Sequence, residues 1–285
     1  MMVSDNTNVY SLKIGDVVIG IECPSCDYMK SMEEYFDTKS VSKNPDILIK
    51  MNIVLHQDKP KIPDSLYLTK EISPEGFSMA GDLVKGYFEP LERKGEIWVK
   101  NILTKAPITR IFEQILYQAF YSARNVCNYD AFLIHSSGVI KNNAGYLFVG
   151  TYDAGKTTVA NLSADYHVLN DEICLVSFIG ENAYLHSTPF NGLYMGKREG
   201  STPLKAVLFL KHGKAHKLLE LSRTEAVITL TREIVPPIGI EEGLSHDTKD
   251  SMLKLADRLS RNVPFRLMEF KQDPGFWDVI DSEFK

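Results

Sequence analysis

Residues Gly150 to Thr157 read G-T-Y-D-A-G-K-T, which satisfies every fixed position of the phosphate-loop pattern G-x-x-x-x-G-K-[ST]. In such a loop the backbone N–H groups turn inward and cradle phosphate oxygens. The pattern assigns Gly150, Thr151, Tyr152, Asp153, Ala154, Gly155, Lys156, Thr157 and the adjacent Thr158 to nucleotide binding. Lys156 would reach the terminal phosphates, and Thr157 would offer its hydroxyl to magnesium. The helix expected after the loop would add its positive end to the same site.

Moving a phosphoryl group takes further parts: a metal ligand, a group that positions or deprotonates the acceptor, and cations for the developing charge. Asp171-Glu172 lies 15 residues beyond Lys156, a gap that fits a short helix and a return strand. One carboxylate could hold Mg2+ and the other act as base toward a hydroxyl. The alternative for this pair is a solvated acidic turn. His135 stands at the expected end of a strand, where a histidine by itself is more often a hydrogen-bonded structural residue. Lys197-Arg198, between Gly196 and Gly200, could stabilise transferred charge. Taken alone, that pair reads as an ordinary solvated basic loop.

The elements that must position these residues are legible in outline. Gly145-Tyr146-Leu147-Phe148-Val149 is an apolar strand before the loop, and Thr158 to Leu162 can continue as a helix after it. Strand, loop, helix is the order the motif requires. Upstream, Phe132-Leu133-Ile134 reads as a strand ending at His135, and Lys141 to Gly145 as a hairpin with glycine at its end. Downstream, Val168-Leu169, Ile173 to Ile179, Tyr184-Leu185, Ala206 to Leu210 and Phe265 to Phe270 read as strands. Ser222 with Glu225 makes a capping box, and Met252, Leu255, Ala256 and Leu259 mark a further helix. Pro274-Gly275-Phe276-Trp277 leads a last short one. Before all of these, Val17 to Ile19, Ile47 to Ile49, Ile53 to Leu55 and Ile97 to Val99 are β-type runs. Pro107 to Val126 carries the i, i+3, i+4, i+7 stripe Ile108, Ile111, Phe112, Ile115, Leu116, Ala119, Phe120, with proline in its first turn.

The bulk numbers narrow the classes. The chain has 285 residues, 44% apolar and 24% charged, enough for one large domain or two modest ones with a sizeable core. A net charge of −5 gives no reason to expect a nucleic-acid or membrane partner. Met1 to Asn8 lacks the basic-then-apolar pattern of a signal peptide, and no run approaches the length of a membrane span, so a cytoplasmic protein is expected. Cys23-Pro-Ser-Cys26 could be a redox pair or half a zinc site. Without a second pair it reads as reduced, structurally incidental thiols at a strand end, and Cys127 and Cys174 as small core residues.

In order, His135-Ser136-Ser137-Gly138-Val139, the loop at Gly150 to Thr158 and Leu169-Asn170-Asp171-Glu172 resemble the catalytic core of HPr kinase/phosphorylase and its relatives. Thr188 to Gly192, Pro203 to Ala206, Leu221 to Ala226 and Phe276-Trp277-Asp278 are similar to a branch of stand-alone serine kinases in that group. The resemblance covers roughly residues 130–285. The β-type runs and the apolar stripe give a mostly-β module at 1–126, with a connecting helix at about 107–126, and the resemblance implies a phosphoenolpyruvate-carboxykinase-like P-loop nucleotide-binding domain at 127–285, so an α/β (α+β) chain is expected. The implied activity is Mg-ATP-dependent transfer to a serine-type hydroxyl of a peptide, protein or small molecule; a catalytically weak or inactive nucleotide-binding regulatory module is the alternative. The implied roles are Asp171 as base, Glu172 with Thr157 on the metal side, Lys156 and Thr157 on phosphates and His135 near the γ-phosphate; Arg198, read from its loop, is the candidate for a further catalytic cation. The implied cofactors are ATP and Mg2+. Glu172 stands where the group carries a second aspartate, and Asp153 where relatives often carry glycine. The residues leave self-association open.

Overall fold

Short β-branched runs in the first part of the chain pair into one seven-stranded sheet. The computed structural model describes residues 8–36, 44–54, 69–73, 76–80, 84–100, 105–236 and 246–285. These fall into two units, one up to Tyr129 and one from Asp130 onward. In the first unit, β1 (Asn8–Ile14) and β2 (Val17–Cys23) form a hairpin, and α1 (Cys26–Phe36) crosses over to β3 (Ile47–Val54), parallel to β2. Strands β4 (Thr69–Ser73), β5 (Gly76–Ala80), β6 (Val84–Glu89) and β7 (Lys94–Lys100) run as an antiparallel meander, and β7 closes it against β3 in parallel. The runs at Ile47 and Ile53 are thus one strand; Leu55 lies outside the described residues. Helix α2 (Lys105–Val126) buries Phe112, Ile115, Leu116, Ala119 and Phe120, the stripe expected of it. Phe112 meets Tyr28 of α1 edge-on, with ring centroids 6.4 Å apart, and Tyr35 donates a 2.6 Å hydrogen bond to Glu113. The side chains of Ile108 and Ile111 lie outside the described residues. Cys23 ends β2, buried with its thiol 3.7 Å from the sulfur of Met51; the Cys26 side chain is not among those described.

The second unit is organised by β8 (Ala131–Lys141). This strand does not stop at His135, as its apolar run suggested. It continues because its first half pairs with β11 (Ile173–Ile179) and its second half with β9 (Ala144–Val149) and β10 (His167–Asn170). Asn142 and Asn143, both left-handed at φ 50° and 61°, make the two-residue turn between β8 and β9. Gly145 lies within β9 rather than in the turn. From β11 the chain continues through β12 (Asn182–His186) to β13 (Ser201–His212), which pairs in parallel with β9. Strands β8, β11, β12, β13 and β9 therefore form a closed circuit. β14 (Lys217–Glu220) and β15 (Phe265–Phe270) extend the sheet from β13.

Helix α3 (Lys156–Leu162) follows β9 through the loop at Gly150 to Gly155, and α6 (Phe276–Glu283) packs its Phe276, Trp277 and Ile280 into the core with Val139, Phe148, Leu208 and Phe270. Trp277 Nε1 donates to Ser163 Oγ at 3.1 Å, fastening α6 to the end of α3. Lys141, buried, pairs with Asp281 at 2.6 Å and lies 4.8 Å from the ring centres of both Tyr166 and Trp277. Helices α4 (Arg223–Glu233) and α5 (His246–Asn262) pack on each other. The described residues make a mixed α+β fold with two sheets and six α-helices. None of these helices is long and apolar enough to cross a membrane.

Candidate functional site

Strand β9 is bonded on both sides, by β8 and β13, and delivers the chain to Gly150 from a fixed direction. Gly155 turns it into α3 at φ 105°, where a methyl group would also lie 2.6 Å from Phe270 Cζ; both facts demand glycine. Asp153 is left-handed too, at φ 60°, a conformation aspartate tolerates. Its carbonyl faces His212 Nε2 at 2.9 Å. Lys156 is buried, and its ammonium donates to the carbonyls of Gly150 at 2.7 Å and Thr151 at 3.1 Å. Burial lowers the Lys156 pKa, while Glu233, Glu172, Asp171 and Asp153 act in the opposite sense.

The acidic turn between β10 and β11 meets the end of this loop. Thr157 Oγ1 donates to Asp171 Oδ2 at 2.9 Å, and the same oxygen accepts the backbone N–H groups of Leu193 and Tyr194, each at 3.1 Å. Asp171 is 2% exposed, so the reading of this pair as a solvated turn does not hold for it. Its neighbour Asn170 explains the shape. Asn170 Oδ1 accepts from Glu172 N at 2.8 Å and Ile173 N at 3.3 Å, an Asx-type turn, while Asn170 Nδ2 donates to Phe190 O at 2.7 Å. Successive side chains then diverge: Asp171 faces α3 and Glu172 faces β8.

Glu172 Oε1 lies 3.4 Å from His135 Nε2, and Glu233 Oε2 lies 3.3 Å from His135 Nδ1. A carboxylate at each ring nitrogen suits an imidazolium, which donates from both. The hydrogen bond to Glu172, then that to Glu233, raise the His135 pKa to about 9 against the cost of burial. The partner effect holds Glu172 below the usual carboxylate range.

Sequence reasoning missed Glu233, although a local signal exists. The Ser222 capping box, with Ser222 Oγ accepting from Glu225 N at 3.3 Å, fixes the start of α4. Ala226, Leu230 and Glu233 form the buried face of that helix, so the glutamate falls on an apolar stripe. Just beyond, Ile234 bridges Ile134 and Val235 N donates to Leu133 O at 2.9 Å, which pins the end of α4 beside His135.

Lys156, Thr157, Asp171, Glu172 and His135 thus converge. Asp171, not Glu172, is the carboxylate that touches Thr157, because the Asx turn sends Glu172 the other way. Arg198 does not join them: its guanidinium donates to Tyr166 O at 2.7 Å, at the opposite end of β10 from Asp171. Lys197 is spent on the carbonyls of Pro189 and Phe190 at 3.0 and 3.1 Å. Among the described residues no three His, Cys, Asp or Glu side chains could hold a metal by themselves. A hydroxyl beside a carboxylate is nonetheless a hard oxygen pair, and magnesium is usually held by one or two carboxylates plus phosphate oxygens. Two cations, Lys156 and His135, face three carboxylates, Asp171, Glu172 and Glu233, so a divalent cation with phosphates fits the charge.

Among solved structures, the chain is similar to the HPr(Ser) kinase/phosphatase from Coxiella burnetii at 8% identity, over 53% of this chain and 95% of that one, with a TM-score of 0.30. So loose a likeness carries no weight beside the geometry. No curated protein matches. The family model that matches, over residues 104–285, differs from the one to which the motifs pointed; it is described as SynChlorMet cassette protein ScmC. That match spans more than half of the sequence, including the loop at Gly150 to Thr157, the acidic turn, His135 and Glu233, and the chain belongs to the ScmC family.

Proposed function

We propose that the second unit binds Mg-ATP at Gly150 to Thr158 and transfers the terminal phosphoryl group to a serine-type hydroxyl of a peptide, protein or small molecule. The observation that carries this reading is the 2.9 Å contact between Thr157 and Asp171, which joins the end of a complete phosphate loop to the acidic turn. Thr157 and Asp171 would hold magnesium, which when bound would neutralise charge on the phosphate oxygens. Lys156 exchanges loop carbonyls for phosphate oxygens, and the His135 imidazolium adds a second cation. Asp171 is buried under three donors, whereas the Glu172 side chain is 46% exposed. Glu172 therefore accepts the acceptor hydroxyl's hydrogen bond and then its proton. The acceptor oxygen bonds to the γ-phosphorus as the bond to the β-phosphate oxygen breaks, and ADP leaves. Such transfer depends more on positioning than on a strong base. The family's description as a cassette protein directs the search for the acceptor to companion proteins of such a cassette.

Incubation with γ-labelled Mg-ATP, with and without candidate acceptors, tests the reading. Labelled acceptor and ADP are expected, and Asp171→Asn, which removes the charge given to magnesium, lowers transfer at least about 10–100-fold. Transfer at the wild-type level in Asp171→Asn overturns the place given to Asp171. Nucleotide binding without turnover at any acceptor supports a second reading, a regulatory nucleotide-binding module, which the charge of Asp153 inside the loop favours.

A further inference from the structure

We infer that Gly192, with the N–H groups of Leu193 and Tyr194, forms a clasp that positions the Asp171 carboxylate, so that the connection between β12 and β13 is a working part of the nucleotide site. The inference rests on the magnesium-side role given to Asp171 above. A methyl group on Gly192 would lie 2.6 Å from the Asp171 carboxyl carbon and closer still to Oδ1. Only a residue without a side chain lets the backbone come this near. The two N–H groups that follow point at Oδ2, where the Thr157 hydroxyl also donates. Three donors converging on one oxygen, with a backbone wall against the other, leave the carboxylate one orientation.

The connection is itself held along its length. Ser187 N donates to Gly200 O at 3.0 Å and Gly200 N to Ser187 Oγ at 3.1 Å, closing its base. Asn170 Nδ2 holds Phe190 O at 2.7 Å, and Lys197 Nζ donates to Pro189 O, Phe190 O and Asn191 Oδ1. Arg198 N donates to Val168 O at 2.9 Å. The segment therefore runs along β10, and its position is transmitted to Asp171. Gly192 touches neither reacting group; it is a positioning residue.

The test is a magnesium titration at fixed concentration of a fluorescent ADP analogue, in the full chain and in Gly192→Ala. The half-saturating magnesium concentration should rise about 10–100-fold, the usual cost of losing a residue that orients a metal ligand. Binding of the analogue in EDTA should stay within about twofold, because Lys156 and the loop are untouched. Wild-type magnesium dependence in Gly192→Ala overturns the clasp. A second measurement needs no nucleotide: amide exchange at Leu193 and Tyr194 should accelerate in Asp171→Ala, and unchanged exchange there also overturns the clasp. If the unaltered chain binds no magnesium–nucleotide complex while those amides still depend on Asp171, the clasp stands and the kinase reading falls.

Discussion

The loop from Gly150 to Gly155 and the acidic turn face each other, yet they are built by opposite means. The loop is shaped by its own backbone. Its bends lie at Asp153 and Gly155, both left-handed, and Tyr152 projects outward, 86% exposed. The turn is shaped by side chains and by segments remote in sequence. Asn170 and Asp171 are buried, and their hydrogen bonds reach Phe190, Leu193, Tyr194 and Thr157. A backbone-built site tolerates substitution at its variable positions. A side-chain-built site depends on each member, because a buried donor or acceptor left unpaired costs about 1–3 kcal/mol.

Four substitutions would sharpen or break this contrast. Lys156→Met should have the largest effect, lowering phosphoryl transfer by roughly 10²–10³-fold, as loss of a charge-stabilising donor does; a steady-state assay with saturating acceptor checks it. Asn170→Ala comes next. It unpairs the turn and the Phe190 segment together, so transfer should fall about 10–100-fold and the melting temperature by roughly 5–10 °C. A loss within about twofold would mean that the turn, like the loop, supports itself.

Glu233→Gln should act through His135. The folded-state pKa of His135 is raised from 6.5 to about 9, so the stability that its carboxylate partners contribute is full below pH 6.5 and lost as pH rises through 9. The melting difference between wild type and Glu233→Gln should therefore be largest at about pH 6.5 and just below, roughly 2–4 °C, shrink as pH rises toward 9, and vanish by about pH 10. Thermal melts across that range read it directly. Asp153→Asn should be the mildest. It keeps a residue that accepts the left-handed bend and removes a negative charge from the proposed nucleotide loop, so nucleotide binding should tighten about twofold, as titration calorimetry would show.

The same contrast explains what could be read from the chain. The motif from Gly150 to Thr157 is eight consecutive residues, and the capping box of α4 spans Ser222 to Glu225; both patterns are local, and the capping box appears where expected. Strand β11 matches its apolar run from Ile173 to Ile179. Glu233 was hidden because its meaning depends on α4 ending against Ile134, some hundred residues earlier in the chain. Gly192 was hidden because a glycine chosen for close approach looks like any loop glycine. Arg198 misled for the converse reason: a basic residue between glycines suggests a phosphate contact, but the pairing of its backbone with Val168 turns it to Tyr166. Strand β14 carried no usable pattern, since Lys217, Leu219 and Glu220 are exposed and the strand exists through its pairing with β15.

The closed circuit of strands bears on how the loop at Gly150 to Gly155 can move. Residues Gly145 to Val149 of β9 are flanked by hydrogen-bonded neighbours on both sides, so this strand has no edge from which to peel. Release of its amides to solvent then requires opening of the whole second unit rather than local fraying. The root of the loop is as durable as the fold itself. Adjustment to a ligand is confined to the few residues between Gly150 and Gly155, and a destabilised variant should lose the site only when it loses the unit.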